Sequence, residues 1–309
     1  MKKIEWPNEG EKIARMLANR IEQMKIHTQT STTKEQSLYK CSICSDNEVI
    51  YQFTDETKTY ISSMEPCSCV KERRFKEFNP SEDFTNKELR HTFKNALIDD
   101  DNMKQFEAAI SFIRNLDAHI NNGTWLYVFG DELRADYLSK QVKEAQRAES
   151  LNKQVKEMSA FGTGKTFLMQ CIANALAHRK QPGIFVNEER LFGDIKATYE
   201  RKNVESEREV LHRYYQVPIL MIDDIFSAQY TEWAEGKLFG ILDERWRKKR
   251  ITIFSSNYAV GRIKSRLPFN GGKISSRITG QSEFIEMVGP DRRRSIDRDY
   301  IWKRGIETE

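Results

Sequence analysis

The chain has 309 residues, enough for one good-sized core plus a smaller domain, and its hydrophobic share of 39% is ordinary to low for a soluble protein. A net charge of +4 with 31% charged residues permits contact with nucleic acid without demanding it. No apolar run approaches a membrane span and Met1-Lys2-Lys3-Ile4-Glu5-Trp6-Pro7 lacks a signal-peptide core, so no membrane role and a cytoplasmic location are expected.

Residues 8–26 place Ile13, Met16, Leu17, Ile21 and Met24 at helical spacing, and the Thr/Ser/Gln-rich stretch 27–36 reads as a linker. Then come Cys41-Ser42-Ile43-Cys44 and Cys67-Ser68-Cys69, separated by segments of strand character at 48–53 and 59–61. Two close cysteine pairs joined by hairpin-like strands bring four thiolates around one tetrahedral Zn2+, and a full set of thiolates leaves no open position, so the metal is structural. A domain this small depends on such a metal to fold. Residues 70–78 look helical and basic, with a solvated face. Asn79-Pro80-Ser81 breaks that helix and divides an N-terminal domain, 1–80, from a second, 81–309.

Apolar spacing returns over 102–120 as one helix, with Asn121-Asn122-Gly123 as its C-terminal cap. Beyond it, apolar strands at 125–129, 183–187, 217–224, 250–257 and 283–288 alternate with helical patterns at 188–199, 205–215 and 231–247. Near-continuous apolar strands alternating with helices mean a parallel sheet covered on both faces, an α/β fold.

The stretch that carries chemistry is Phe161-Gly162-Thr163-Gly164-Lys165-Thr166, the second half of a Walker A loop, followed by an amphipathic helix with Cys171 on its apolar face. Such a loop needs a glycine five positions before Gly-Lys-Thr, and Ser159 stands there. The missing glycine and its strand lie upstream in Leu126-Tyr127-Val128-Phe129-Gly130, so 132–160 reads as an insertion inside a P-loop. Amides of Gly162 to Lys165 would cradle phosphates, Lys165 would neutralise the β and γ phosphates of ATP, and Thr166 would bind Mg2+. Asp223, at the tip of an apolar strand, is the expected Mg2+ carboxylate, and Asp224 is placed to orient or deprotonate the attacking water. Asn257 ends the next strand, where its amide would hold that water. Arg277 and the run Arg292-Arg293-Arg294 offer cations for the γ phosphate, with a basic surface face as the rival reading.

The cysteine knuckle followed by Lys-Glu-Arg-Arg, the split Gly…Gly-Thr-Gly-Lys-Thr junction, Leu-Met-Ile-Asp-Asp-Ile, Ile-Phe-Ser-Ser-Asn and Ser-Ser-Arg-Ile together resemble the DnaC/DnaI-type helicase loaders of the AAA+ class, over about residues 38–294. The resemblance implies a zinc domain that binds a hexameric replicative helicase, and an AAA+ P-loop domain that binds ATP and single-stranded DNA and self-associates. It makes Asn257 the sensor-one residue, Arg277 an arginine finger acting in trans, and Arg293 the sensor-two residue. Transposase-assisting ATPases share the core and are the alternative.

The insertion departs from that pattern. Lys140-Gln141-Val142-Lys143-Glu144 recurs as Lys153-Gln154-Val155-Lys156-Glu157 without Pro or Gly, which predicts one bent helix or a short helical hairpin with a solvated surface. Three readings stand: the hairpin returns the chain to Gly130 and the site still works, the cradle is distorted and the protein is a non-hydrolysing adaptor, or the segment is an intervening sequence with no role.

Overall fold

The computed structural model describes residues 40–54, 61–148, 157–200 and 205–293; the helix expected at 8–26 and the linker at 27–36 lie outside them. The chain divides into two compact units between Val70 and Lys71. In the first, β1 (Val49–Phe53) and β2 (Ile61–Pro66) pair antiparallel, with Val49 opposite Pro66. The helix α1 (Ser68–Glu77) follows and buries none of its residues, as its charged pattern predicts.

In the second unit the helix expected over 102–120 is two helices, α2 (Met103–Arg114) and α3 (Leu116–Asn122). Asn115 between them leaves helical geometry at φ −93° and ψ 18°, and asparagine competes for backbone bonds in this way. Gly123 caps α3 in the left-handed conformation at φ 71°, its N–H donating to the His119 carbonyl at 2.8 Å. A Cβ at Gly123 would stand 2.6 Å from Lys249 Cα, so only glycine fits.

The next elements are β3 (Trp125–Phe129), α4 (Glu132–Ala148), β4 (Met158–Ser159) and α5 (Lys165–His178). Then come β5 (Gly183–Asn187), α6 (Glu188–Ala197), α7 (Glu207–Gln216), β6 (Ile219–Ile225) and α8 (Glu232–Arg247). The described chain closes with β7 (Ile251–Ser256), α9 (Val260–Arg266), α10 (Gly271–Gln281), β8 (Ser282–Glu286) and β9 (Gly289–Pro290).

Five strands form one parallel sheet in the order β5-β6-β7-β3-β8. Along β3, Trp125 and Tyr127 enter one core with Leu220, Ile222 and Phe254, while Leu126 and Val128 enter the other with Leu168, Ile172 and Ile253. Both faces are covered, which is why the strands read as unbroken apolar runs. Cys171 is buried in the second core, as expected. Because β3 sits between β7 and β8, the chain reverses its direction of travel across the sheet around it. The carboxyl ends of such strands are where ligands bind.

Arg245 on α8 is wholly buried and ties the opposite, amino ends of the strands together. Its guanidinium donates to Thr252 Oγ1 at 3.0 Å, to the carbonyls of Tyr214 (2.8 Å), Val217 (2.7 Å) and Pro218 (3.3 Å), and to that of Ile251. Burial holds its pKa well below the usual arginine value. Replacing Arg245 with Ala leaves these acceptors unpaired around a cavity, and should lower unfolding free energy in urea by about 3 to 5 kcal/mol.

Candidate functional site

The insertion begins because Asp131 caps it: its carboxylate accepts from Leu133 N–H at 3.0 Å, and its carbonyl from Ala135 N–H at 2.9 Å. The helix α4 packs by Ala135 and Ser139 and leaves Leu133 and Tyr137 exposed. The second copy of the repeat lies mostly in 149–156, outside the described residues. The repeat pattern predicts helix throughout 132–160, and the structure departs from it at the end of the segment. Met158–Ser159 is a strand, pairing antiparallel with Gly289–Pro290, and Met158 N–H donates to Ser139 Oγ at 3.0 Å. Backbone partners from a distant strand outweigh the local helical preference of Lys-Glu-Met.

The insertion closes on itself at the loop. Gly130 lies so close to Ala160 that an added Cβ would meet the Ala160 carbonyl oxygen at 2.6 Å. From there Gly162 (φ 67°) and Gly164 (φ 98°) take left-handed backbone conformations, and α5 starts at Lys165. Side chains cannot replace these hydrogens: a Cβ at Gly162 would come within 1.9 Å of Asp291 Oδ1. Lys165 is buried and its ammonium donates to the Ala160 carbonyl at 2.5 Å. Burial, opposed by Asp224 and Asp223 and reinforced by Arg293, brings its pKa down to about 8. The buried Thr163 hydroxyl has no hydrogen-bond partner among the described residues.

Facing the loop, the pairing of β6 with β7 runs regularly to Ile222 opposite Phe254 and then slips, so that Ile225 stands opposite Ser256. The extra residue is absorbed at Asp223-Asp224, with Asp224 at φ 54°. Such a bulge re-aims side chains that would otherwise alternate between faces. Two serines stand in for the lost ladder. Ser255 Oγ accepts from Asp224 N–H at 2.8 Å and donates to Asp223 Oδ1, and Ser256 Oγ donates to the Ile225 carbonyl at 2.8 Å. Asp223 is buried, which raises its pKa against the hydrogen bonds from Ser255 and Thr166. Asp224 Oδ1 accepts from Asn257 Nδ2 at 2.8 Å and Ser227 Oγ at 2.7 Å.

Lys165, Thr166, Asp223, Asp224, Asn257 and Arg293 thus interact with one another, directly or through their charges. Of the three competing arginines, Arg292 is held by Asp99 at 2.7 and 2.9 Å, Arg293 acts on Lys165, and Arg294 lies outside the described residues. Arg277 is bonded to none of this group. It donates to Asp243 Oδ1 at 2.9 Å and lies 4.4 Å from the Trp246 ring centroid. Sequence reasoning missed Ser255, and also Glu188, whose buried carboxylate accepts from Phe226 N–H (3.0 Å), Ala228 N–H (2.9 Å) and Tyr230 OH in the loop after β6. The adjacent polar pair Ser255-Ser256 on an otherwise apolar strand was the available signal.

In the first unit, the sulfurs of Cys41, Cys44, Cys67 and Cys69 all lie within 4.8 Å of one another, with Cys41 to Cys67 at 3.8 Å and Cys44 to Cys69 at 3.5 Å. Tetrahedral zinc with bonds of about 2.3 Å requires sulfurs about 3.8 Å apart, so the four residues fit it as structural ligands. Backbone amides of Cys44 and Ile43 bring the Cys41 thiol down to about 7, toward the thiolate that binds metal, while desolvation and its neighbouring thiols push Cys69 upward.

The family model of the bacterial DnaA ATPase domain matches residues 127–269. The chain is 27% identical over 143 residues to the replicative helicase loader DnaI of Bacillus subtilis (strain 168), covering 43% of this chain and 45% of that protein. It is 31% identical over 96 residues to the replicative helicase loader DnaC of Buchnera aphidicola subsp. Baizongia pistaciae (strain Bp), covering 31% and 39%. The chain is thus similar, over part of its length, to DnaI- and DnaC-type helicase loaders and to the DnaA ATPase domain. It spans less than half the length of these curated relatives. A crystal structure of DnaI aligns over 68% of this chain and 94% of that one at 24% identity, with a TM-score of 0.48. The matched family model is that of an ATPase domain, and its span contains the phosphate-loop residues Gly162 to Thr166 and the carboxylates Asp223 and Asp224. Among the described residues no helix is long and apolar enough to cross a membrane.

Two outcomes follow from the geometry. Metal analysis of the purified protein should find one zinc per chain, lost in Cys67→Ser. Ser255→Ala, which removes a buried donor and acceptor together, should cost about 1 to 3 kcal/mol in denaturant unfolding, with Ser255→Thr losing less.

Proposed function

We propose that this chain is an ATP-dependent loader that delivers a hexameric replicative helicase onto single-stranded DNA during DNA replication. The observation that carries the nucleotide half is the contact of Gly130 with Ala160, because it makes the loop continuous in space although it is split in sequence. In this reading the amides of Gly162 to Lys165 receive the phosphates and Lys165 exchanges the Ala160 carbonyl for phosphate oxygen. Thr166 and Asp223 hold Mg2+, which when bound neutralises phosphate charge. Asp224 and Asn257, already hydrogen-bonded, orient water at the γ phosphate. Arg293 acts on the same nucleotide, and Arg277 reaches the site of a neighbouring copy once released from Asp243.

The thiolate-clustered unit is the helicase-docking module in this proposal, and the AAA+ unit self-associates and engages DNA. A second reading, a non-hydrolysing adaptor, draws on the Lys165 bond to Ala160, which a nucleotide must displace.

ATP affinity and turnover of the intact chain, of Lys165→Ala and of a chain lacking 132–160 separate the two. The proposal expects the intact chain to bind and hydrolyse ATP and Lys165→Ala to lose binding by at least tenfold. Binding without turnover supports the adaptor, and a deletion chain that binds while the intact chain does not removes the enzyme reading. Copurification with a replicative helicase hexamer tests the loader role, and association with a transposase instead would favour the transposition helper.

A further inference from the structure

The arm that follows β8 runs against the phosphate loop. A Cβ at Gly162 would collide with Asp291 Oδ1, and one at Gly164 would lie 3.9 Å from Arg292 Cδ and 4.0 Å from Met287 Cε. Both left-handed glycines of the loop therefore touch residues 287–292. Backbone links add to this contact: Met158–Ser159 pairs with Gly289–Pro290, and the Arg292 N–H donates to the Gly162 carbonyl at 3.0 Å.

The arm is fastened in turn to the segment that precedes α2. Arg292 donates through both terminal nitrogens to Asp99, Nη2 to Oδ1 at 2.7 Å and Nη1 to Oδ2 at 2.9 Å. Such a fork fixes direction as well as distance. Asp99 is itself set in place. Its N–H donates to Asn102 Oδ1 at 2.8 Å, the Asp101 N–H donates to Asp99 Oδ1 at 3.1 Å, and buried Asn102 donates to the Leu97 carbonyl at 3.0 Å. Gln105 Nε2 donates to the Glu286 carbonyl at 3.0 Å, a second tie between the same two segments. The buried Thr163 hydroxyl, without a hydrogen-bond partner among the described residues, belongs to a loop residue that lines the cleft at this junction with Asp101, Asn102, Gln105 and Arg292.

The Arg292 side chain is 24% exposed and that of Asp99 51%, and an ion pair so open to solvent adds little to global stability. Its effect falls where the arm touches, at Gly162 and Gly164. A cradle of amides works only when each is placed to within a fraction of an ångström. We propose that Asp99 is a positioning residue for the phosphate loop: through its fork with Arg292 it holds the arm against Gly162 and Gly164 and so keeps the loop in the shape that receives phosphate. This rests on the nucleotide half of the proposed function and adds to it a residue outside the loop.

Two measurements on the full chain test this separately, amide hydrogen exchange and equilibrium binding of ATP with Mg2+. Asp99→Asn should speed exchange over 161–166 and at the Arg292 amide. It should weaken ATP binding by about fivefold, the factor a partly exposed bidentate pair supplies, with kcat little changed. Asp99→Glu, which keeps the charge, should retain most of the affinity. Asp99→Asn added to Arg292→Gln should have no further effect, because the two side chains act as one unit. The unfolding temperature should match wild type in each case. Tighter ATP binding by Asp99→Asn overturns the proposal, since Asp99 would then be withholding Arg292 from phosphate. Additive losses in the double variant overturn it, as does a lowered unfolding temperature with loop exchange and ATP affinity unchanged. A wild-type chain that binds no ATP removes the nucleotide reading, and exchange over 161–166 then decides the role of Asp99 by itself: faster exchange in Asp99→Asn supports it and unchanged exchange overturns it.

Discussion

A side chain at position 130 would place its first carbon 2.6 Å from the Ala160 carbonyl oxygen, and the candidate nucleotide site depends on that contact. A long excursion costs little when its ends meet, since closure entropy grows only slowly with loop length. The requirement falls instead on the junction. Glycine at 130 and small residues at 159 and 160 let the two chain ends lie against each other, and the pairing of Met158–Ser159 with Gly289–Pro290 pins the returning end to the body. The segment after β8 then continues along the loop, with Arg292 N–H donating to the Gly162 carbonyl at 3.0 Å. The inserted helix therefore projects from an anchored base, and its charged surface needs no buried partner.

The second constraint is the slipped register between β6 and β7. Holding Asp224 in a left-handed conformation costs on the order of 1 kcal/mol, and the surroundings hold it there. Ser255 and Ser256 replace missing ladder bonds, Glu188 collects amide hydrogens of the following loop, and Arg266 donates to the carbonyls of Phe226, Ser227 and Ala228 at 2.9 to 3.2 Å. Strain at Asp224 is thereby carried by side chains on both flanks, with Glu188 and Arg266 taking the amides and carbonyls of the same loop at Phe226 and Ala228. The same sheet is used differently at its two edges. Its carboxyl edge concentrates acidic groups and one buried lysine, while its amino edge concentrates arginines and lysines around Arg245 and Arg250.

Much of this was legible in the chain itself. Apolar runs with alternate residues facing opposite cores announced a parallel sheet, because burial on both faces removes the polar positions of a one-sided strand. Gly-Thr-Gly-Lys-Thr, the two aspartates after Met221-Ile222, and the two cysteine pairs carry their chemistry in short spacing, and those signals survive an insertion of any length between them. Asn257 stood out for the same reason, as a polar tip on an apolar strand, and it bonds to Asp224.

What the sequence could not decide was everything set by contacts between distant segments. Whether the split loop closes depended on where Ala160 comes to rest against Gly130. Whether Met158 extends a helix or a strand depended on Gly289 and Pro290, more than a hundred residues on. That Asp99, far upstream, takes Arg292 is equally absent from the local run of three arginines. Local spacing determines which chemical groups a segment offers and which periodicity it prefers. Register, loop closure and the choice among neighbouring arginines are decided by packing and hydrogen bonding across the fold, and those energies have no local signature in the chain.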